Sequence, residues 1–320
     1  MIFYVFLDGI GFGRNDTDTN PFARFSQNFF LPLASKAQSL PQLTYIETDA
    51  CLGVTGLPQS ATGQTALWTG VNGAKTINRH LSGFPSFTLK KIIAKHSIVK
   101  VLNQNGVKAD LLNSYSPKYF EKIKENPRYV SASTLVQMAS NRPLKTFEDL
   151  REGRGIYMDI THEILIQMGR GEIPEWDPLM QVRNAYDVGY SIPSRFGDYG
   201  LCIYEYFITD KVGHDQNWDH ANKVIHELEE FFRGYLDAMD PERDTLIVTS
   251  DHGNLEDLTT SRHTTNPVPT ILAGAKAKDL KNSINSLTDI TPSIYKILNL
   301  DQALLDLDKS NFHNYRIESL

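Results

Sequence analysis

The chain has 320 residues, 41% hydrophobic and 22% charged, proportions that exclude a disordered, collagen-like or coiled-coil chain. Its formal net charge of −6 gives no basic surface for nucleic acid or an anionic membrane, so an anionic substrate would need a local cation. Cys51 and Cys202 are too few and too far apart for a disulfide framework. No signal peptide opens the chain and no apolar run nears the ~18 residues of a membrane span, so the expectation is a cytoplasmic protein of one α/β domain or a core with an insertion.

In chain order, the first predicted element is a strand over Ile2–Leu7. Between Lys90 and Asn113 the text reads as helix, then Gly106, then a strand from Val107 to Leu112. Residues 116–193 lose this pattern in segments such as REGRGIYMD and GRGEIPEWDP, and are expected to form a cap or insertion over a core made of 1–115 and 194–320. Strands are then predicted over Leu201–Ile208, Thr245–Val248 and Val268–Leu272. The strands are apolar on both faces rather than alternating, as in buried strands of a mostly parallel sheet. One apolar stripe from Trp218 to Met239, built on Val224, Ile225, Leu228, Phe231 and Phe232, predicts a long amphipathic helix. Asp289 as N-cap and Pro292 near the first turn predict a closing helix with Ile294, Ile297 and Leu298 inward.

Open α/β sheets bind ligands beyond the carboxyl ends of their strands. Those positions carry Asp8, Asp210 with His214, and Asp251 with His252, and His263 lies on the segment entering the strand near 270. Three carboxylates and three imidazoles on one edge suit two divalent ions, with manganese, zinc or iron fitting mixed ligation better than calcium or magnesium. The Asp210–His214 spacing aims both side chains from one helical turn. The adjacent Asp251 and His252 require an irregular loop, which Gly253 would supply. By contrast, Asp219, His220, His226, His96 and His313 read as residues without a functional role, the first two on a solvated helix face. Asp159 and His162 in MDITHEIL read as a helix start. In LPQSATGQTALWTG, Ser60 is either the N-cap of a helix or a nucleophile in a phosphate cradle formed by the helix N-terminus and Gly63. A metal beside its hydroxyl would lower the hydroxyl pKa.

Taken in order, LDGIG, SATG, TDKVGH, SDHGN and RHTTNPVP resemble the alkaline phosphatase superfamily, in particular its metalloenzyme branch with cofactor-independent phosphoglycerate mutase and phosphopentomutase. The resemblance covers about residues 1–80 and 200–300. It implies an alkaline phosphatase-like, mostly parallel central sheet with helices on both faces and a small cap. It also implies one metal held by Asp8, Ser60, Asp251 and His252, a second by Asp210, His214 and His263, and a transient phosphoserine at Ser60. Asn254 and Thr264 would orient the ligands. The expected ions are Mn²⁺ or Zn²⁺, and the expected partner is a small-molecule phosphate ester, with no nucleic acid and no membrane. Two departures separate this chain from the mutases: Gln64 stands where they carry a histidine after the glycine, and the insertion is shorter. Thr62 and Gln64 also occupy the positions where a sulfatase needs the proline and arginine that follow its modifiable residue. Thr62, Gln64, Arg79, His80, Arg151 and Arg154 are candidate substrate contacts. The expected activity is phosphate-ester hydrolysis, with a phosphomutase and a metal-stabilised binding protein as alternatives.

Overall fold

A computed structural model describes residues 1–35 and 40–312; His313 lies outside them. Among the described residues, eight strands run β1 (Ile2–Leu7), β2 (Thr44–Thr48), β3 (Ala109–Leu111), β4 (Ser114–Tyr115), β5 (Lys145–Thr146), β6 (Leu201–Tyr206), β7 (Thr245–Thr249) and β8 (Val268–Gly274). Six of them form the main sheet in the order β2-β8-β7-β1-β6-β3, and β4 pairs with β5 in a small separate sheet. β1 runs parallel to both β6 and β7, and β3 parallel to β6, whereas β8 is antiparallel to β7 and to β2. The fold is therefore α/β with a mostly parallel sheet, as expected. No helix among the described residues is long and apolar enough to cross a membrane.

The two-residue period of β1 divides its side chains between two cores. Ile2, Tyr4 and Phe6 join helices Ser60–Thr69, Phe87–His96 and Ile290–Ile297 on one face. Phe3, Val5 and Leu7 join helices Ala185–Phe196 and Trp218–Ala238 on the other. Because β1 is central and covered on both sides, it has no polar face, which is why its text does not alternate. Trp68 is fully buried, its ring centroid 5.1 Å from that of Tyr4 and 5.5 Å from that of Phe6, edge-on to the latter. Burial of so large a side chain clamps the Ser60 helix to the strand that ends at Asp8.

Several expectations need correction. The strand read as Leu201–Ile208 ends at Tyr206, because Ile208 already opens a helix, Ile208–Asp215. Strand β8 runs antiparallel to both of its neighbours. That reversal puts its entry, rather than its exit, at the carboxyl edge of β7. Strand β2 was not foreseen; three of its five residues are only half buried, so its hydrophobic pattern is weak. Asp289 precedes helix Ile290–Ile297, but its carboxylate turns back to accept from the Asn285 and Ser286 backbone amides instead of capping that helix. His96 is buried rather than solvated, on the inner side of its helix. Asp219 and His220 are exposed in the first turn of Trp218–Ala238, as read, and the Asp159 carboxylate accepts from the His162 and Ile164 amides at the start of helix Glu163–Gly169. Within 116–193, helix Ala132–Met138 packs into the main core through Ala132 and Val136, while Leu150, Tyr157, Leu165 and Leu179 form a separate small cluster.

Candidate metal centre

All six strand-edge residues meet at the carboxyl end of the sheet, in two groups: Asp8, Asp251 and His252, and Asp210, His214 and His263, each with ligand atoms within 4.8 Å of one another. Asp8 follows β1 directly, its amide donating to the Tyr206 carbonyl at 3.0 Å and so extending the ladder toward β6. Asp251 and His252 leave β7 fully buried. The Ser250 hydroxyl ties this exit to the β1 exit by accepting from the Ile10 amide at 2.9 Å and donating to the His252 carbonyl at 3.0 Å. Asp210 and His214 share one face of helix Ile208–Asp215, with His214 Nε2 3.2 Å from Asp210 Oδ2. His263 arrives on the segment before antiparallel β8, and its ring stacks on His252 with centroids 3.6 Å apart.

Ser60 heads helix Ser60–Thr69, and Gln59, not Ser60, occupies the N-cap position. The capping alternative therefore fails: the Ser60 hydroxyl lies 3.0 Å from His252 Nε2. Gly63 does not line a cradle either. A Cβ there would lie 2.8 Å from the Asp251 carbonyl oxygen, so glycine permits the close approach of the helix to the Asp251 loop. Gly253 plays the same part: a Cβ would fall 2.2 Å from both Glu256 Oε1 and Thr264 Oγ1.

The hydrogen bonds specify what the donor set lacks. His263 Nδ1 faces the Pro58 carbonyl at 2.9 Å and His214 Nδ1 faces the Ser261 carbonyl at 2.7 Å. A carbonyl can only accept, so both rings carry their hydrogen on Nδ1 and turn bare Nε2 lone pairs inward. Those two Nε2 atoms are 3.2 Å apart, with Asp210 Oδ1 3.6 Å from the His263 nitrogen. Two ring nitrogens and a carboxylate turned toward one another suit a cation between them. In the deeper group, His252 Nε2 is 3.3 Å from Asp8 Oδ1 and 3.6 Å from Asp251 Oδ1, and both carboxylate oxygens are buried without a hydrogen bond. Burial, with the Asp8 charge adding, pushes the Asp251 carboxyl well up. Burial opposes the charged form of His252, yet Asp251, Asp8 and Asp210 together hold it up at about 10. So dry a cluster of carboxylates around an imidazole fits a divalent ion, and the residues present match one in type.

Supporting side chains complete the site. Asn254 Nδ2 donates to Asp210 Oδ1 at 2.7 Å. Thr264 acts one step further out, donating to Glu256 Oε1 at 2.5 Å. Glu256, which the sequence reading missed, is buried and also accepts from the Gly11 and Asn254 amides and from Asn266 Nδ2, tying three loops together. Its place five residues after Asp251 was its one signal in the sequence.

The candidate substrate contacts fare differently. Gln64 is buried and its amide donates to Asp251 Oδ2 at 3.1 Å and Asp8 Oδ2 at 3.4 Å, so it braces two carboxylates. Thr62 is buried, its hydroxyl donating to the Gln59 carbonyl and accepting from the Leu81 amide. Arg151 pairs with Asp177 and Glu148, and Arg154 with Asp149 and Glu152. Arg79 is exposed, and the His80 ring lies 3.2 Å from the Val54 carbonyl, on the loop leading to Ser60.

Known proteins share sequence and fold with this chain. A 2,3-bisphosphoglycerate-independent phosphoglycerate mutase of Parasynechococcus marenigrum (strain WH8102) is 34% identical over 120 residues, 33% of this chain and 22% of that protein. One of the same description from Ehrlichia canis (strain Jake) is 36% identical over 110 residues, 32% of this chain and 22% of its own length. The matched stretch thus spans under a quarter of each relative. The solved structure of the PH0037 protein from Pyrococcus horikoshii shares the fold, with a TM-score of 0.52 at 13% identity over 93% of this chain and 96% of that one. The family description "Metalloenzyme superfamily" matches residues 2–302, and the chain belongs to that superfamily.

Proposed function

We propose that the protein is a two-metal phosphoryl-transfer enzyme with Ser60 as nucleophile, acting on a small-molecule phosphate ester. The observation that carries this reading is the position of the Ser60 hydroxyl, 3.0 Å from His252 Nε2 and free of any capping role. Asp8, Asp251 and His252, with Ser60, would hold one ion; Asp210, His214 and His263 would hold the other. Bound divalent ions, Mn²⁺ first and Zn²⁺ second, would neutralise phosphoryl oxygens and lower the hydroxyl pKa. Ser60 Oγ forms a bond to phosphorus as the ester P–O bond breaks, releasing the alcohol and leaving a phosphoserine. Water then cleaves the phosphoserine, releasing inorganic phosphate and restoring Ser60. Gln64 keeps Asp8 and Asp251 apart at a fixed spacing, and Asn254 does the same for Asp210. We further take the small cluster around Leu150, Tyr157, Leu165 and Leu179 as the cap within 116–193, and a reducing, cytoplasmic setting as consistent with free Cys51 and Cys202.

A second reading, a phosphomutase in which another substrate hydroxyl takes the phosphoryl group, is favoured by the relatives named phosphoglycerate mutase. Gln64, standing where the family resemblance leads one to expect a histidine in a mutase, favours hydrolysis. Turnover in ¹⁸O-labelled water separates the two: label in released phosphate supports hydrolysis, and isomerisation of the ester without label overturns it. Metal-loaded protein that turns over no phosphate ester in a broad panel would leave only a binding role.

A further inference from the structure

Next to the metal centre, beyond the ends of β3 and β6, lies a cavity of about 270 Å³ that no step above uses. Its walls include Tyr115 and Tyr119, stacked with centroids 4.4 Å apart, together with Phe207 and Met168, both exposed. One buried carboxyl lines it: Glu205 is 8% exposed, and Ser133 is the side chain that donates to one of its oxygens. Strand register fixes where this lies. Glu205 pairs with Phe6, on the face that also carries Tyr4, Leu201 and Ile203, and Asp8 is two residues beyond Phe6. The period of two therefore stands Glu205 one pleat behind Asp8 on one face of the sheet. Cations belong to the mouth instead: Lys122 is exposed there and Lys118 pairs with Glu172.

Building on the phosphoryl-transfer reading, we propose that this cavity receives the alcohol part of the ester, that Glu205 is a specificity-determining residue hydrogen-bonded to a hydroxyl of that alcohol, and that the substrate is the phosphate ester of a single, uncharged, hydroxyl-bearing ring. Aromatic walls suit a ring face, and the volume falls below the ~300–1,000 Å³ of sites for drug-sized ligands, too small for a nucleotide. Burial pushes the Glu205 carboxyl up to about 7; above that pH it accepts from a hydroxyl and repels a carboxylate, so a phosphorylated hydroxy acid is disfavoured there.

Initial rates of the metal-loaded protein with ribose 5-phosphate, methyl phosphate and 3-phosphoglycerate, following both phosphate release and isomer formation, test this. Wild-type protein should prefer ribose 5-phosphate to methyl phosphate, and methyl phosphate to 3-phosphoglycerate, in kcat/KM. Glu205→Gln should lower the ribose-to-methyl ratio about tenfold, mainly through KM, and raise 3-phosphoglycerate relative to methyl phosphate. Met168→Trp, a change at an exposed rim position, should lower the ribose-to-methyl ratio by occupying the mouth. Ratios unmoved in both variants would overturn the assignment while leaving the Ser60 chemistry standing. If wild-type protein turns over no ester, that chemistry falls and the cavity is judged by binding: ribose 5-phosphate should raise the melting temperature of wild-type protein more than that of either variant. Equal shifts in all three would overturn it.

Discussion

Replacing Ser60 with alanine removes a single oxygen, and the structure says what else that oxygen supports. Gln59 holds the N-cap position, the Ala61 amide donates to the Leu81 carbonyl at 3.0 Å, and the Gly63 amide donates to the Gln59 carbonyl at 2.9 Å. None of these bonds involves the Ser60 hydroxyl, so stability should change by no more than about 0.5 kcal/mol. His252 Nε2 keeps Asp8 Oδ1 at 3.3 Å and Asp251 Oδ1 at 3.6 Å, so metal content should also hold. Turnover depends on the oxygen as nucleophile, and its loss should cost about 10⁴-fold or more in kcat, roughly 5 kcal/mol of barrier. The assay is steady-state hydrolysis of p-nitrophenyl phosphate, with metal per chain measured by mass spectrometry and melting temperature recorded on the same samples. A variant that keeps more than about a tenth of the wild-type rate at equal metal content would refute covalent catalysis by Ser60.

Other consequences are open to direct measurement. Trp68→Ala should destabilise the protein by about 3–5 kcal/mol in urea unfolding, because it empties the site between Tyr4 and Phe6 that clamps the Ser60 helix. Asn254→Ala removes the 2.7 Å bond to Asp210 Oδ1 and should weaken one of the two metal sites about 10–100-fold in equilibrium dialysis with Mn²⁺; unchanged affinity at both sites would deny it an orienting role. Burial, with Arg183 nearby, holds His162 down at about 4, so the folded state keeps it neutral where the unfolded chain binds a proton. Its contribution to stability is complete above the unfolded value near 6.5 and is lost as pH falls from there toward 4, by up to about 3 kcal/mol. His162 has a positive φ of 68°, which asparagine tolerates, so His162→Asn should flatten that part of the acid unfolding curve; an unaltered curve would place the acid sensitivity elsewhere.

The chain text alone determined the fold class and named the six residues that meet at the candidate metal centre. Strands β1, β6 and β7 are covered on both faces, so they read as apolar runs, and their parallel arrangement brings the polar residues after each run to one edge. Asp8, Asp210 and Asp251 were legible for that reason, and the four-residue spacing of Asp210 and His214 named a shared helical face. What tertiary structure decided lies in contacts between segments far apart in sequence. The antiparallel course of β8 delivers His263 to the carboxyl edge of β7, and nothing in an apolar heptad states the direction of a strand. Gln64, a polar residue on a helix with no acidic or basic neighbour in its first turn, becomes a brace only because Asp8 and Asp251 converge on its amide. Glu256 binds three loops that share no local pattern, and Arg151 and Arg154 pair with carboxylates. Periodicity and strand ends record which side of an element is buried; they carry no record of what a polar side chain meets once the sheet has closed around it.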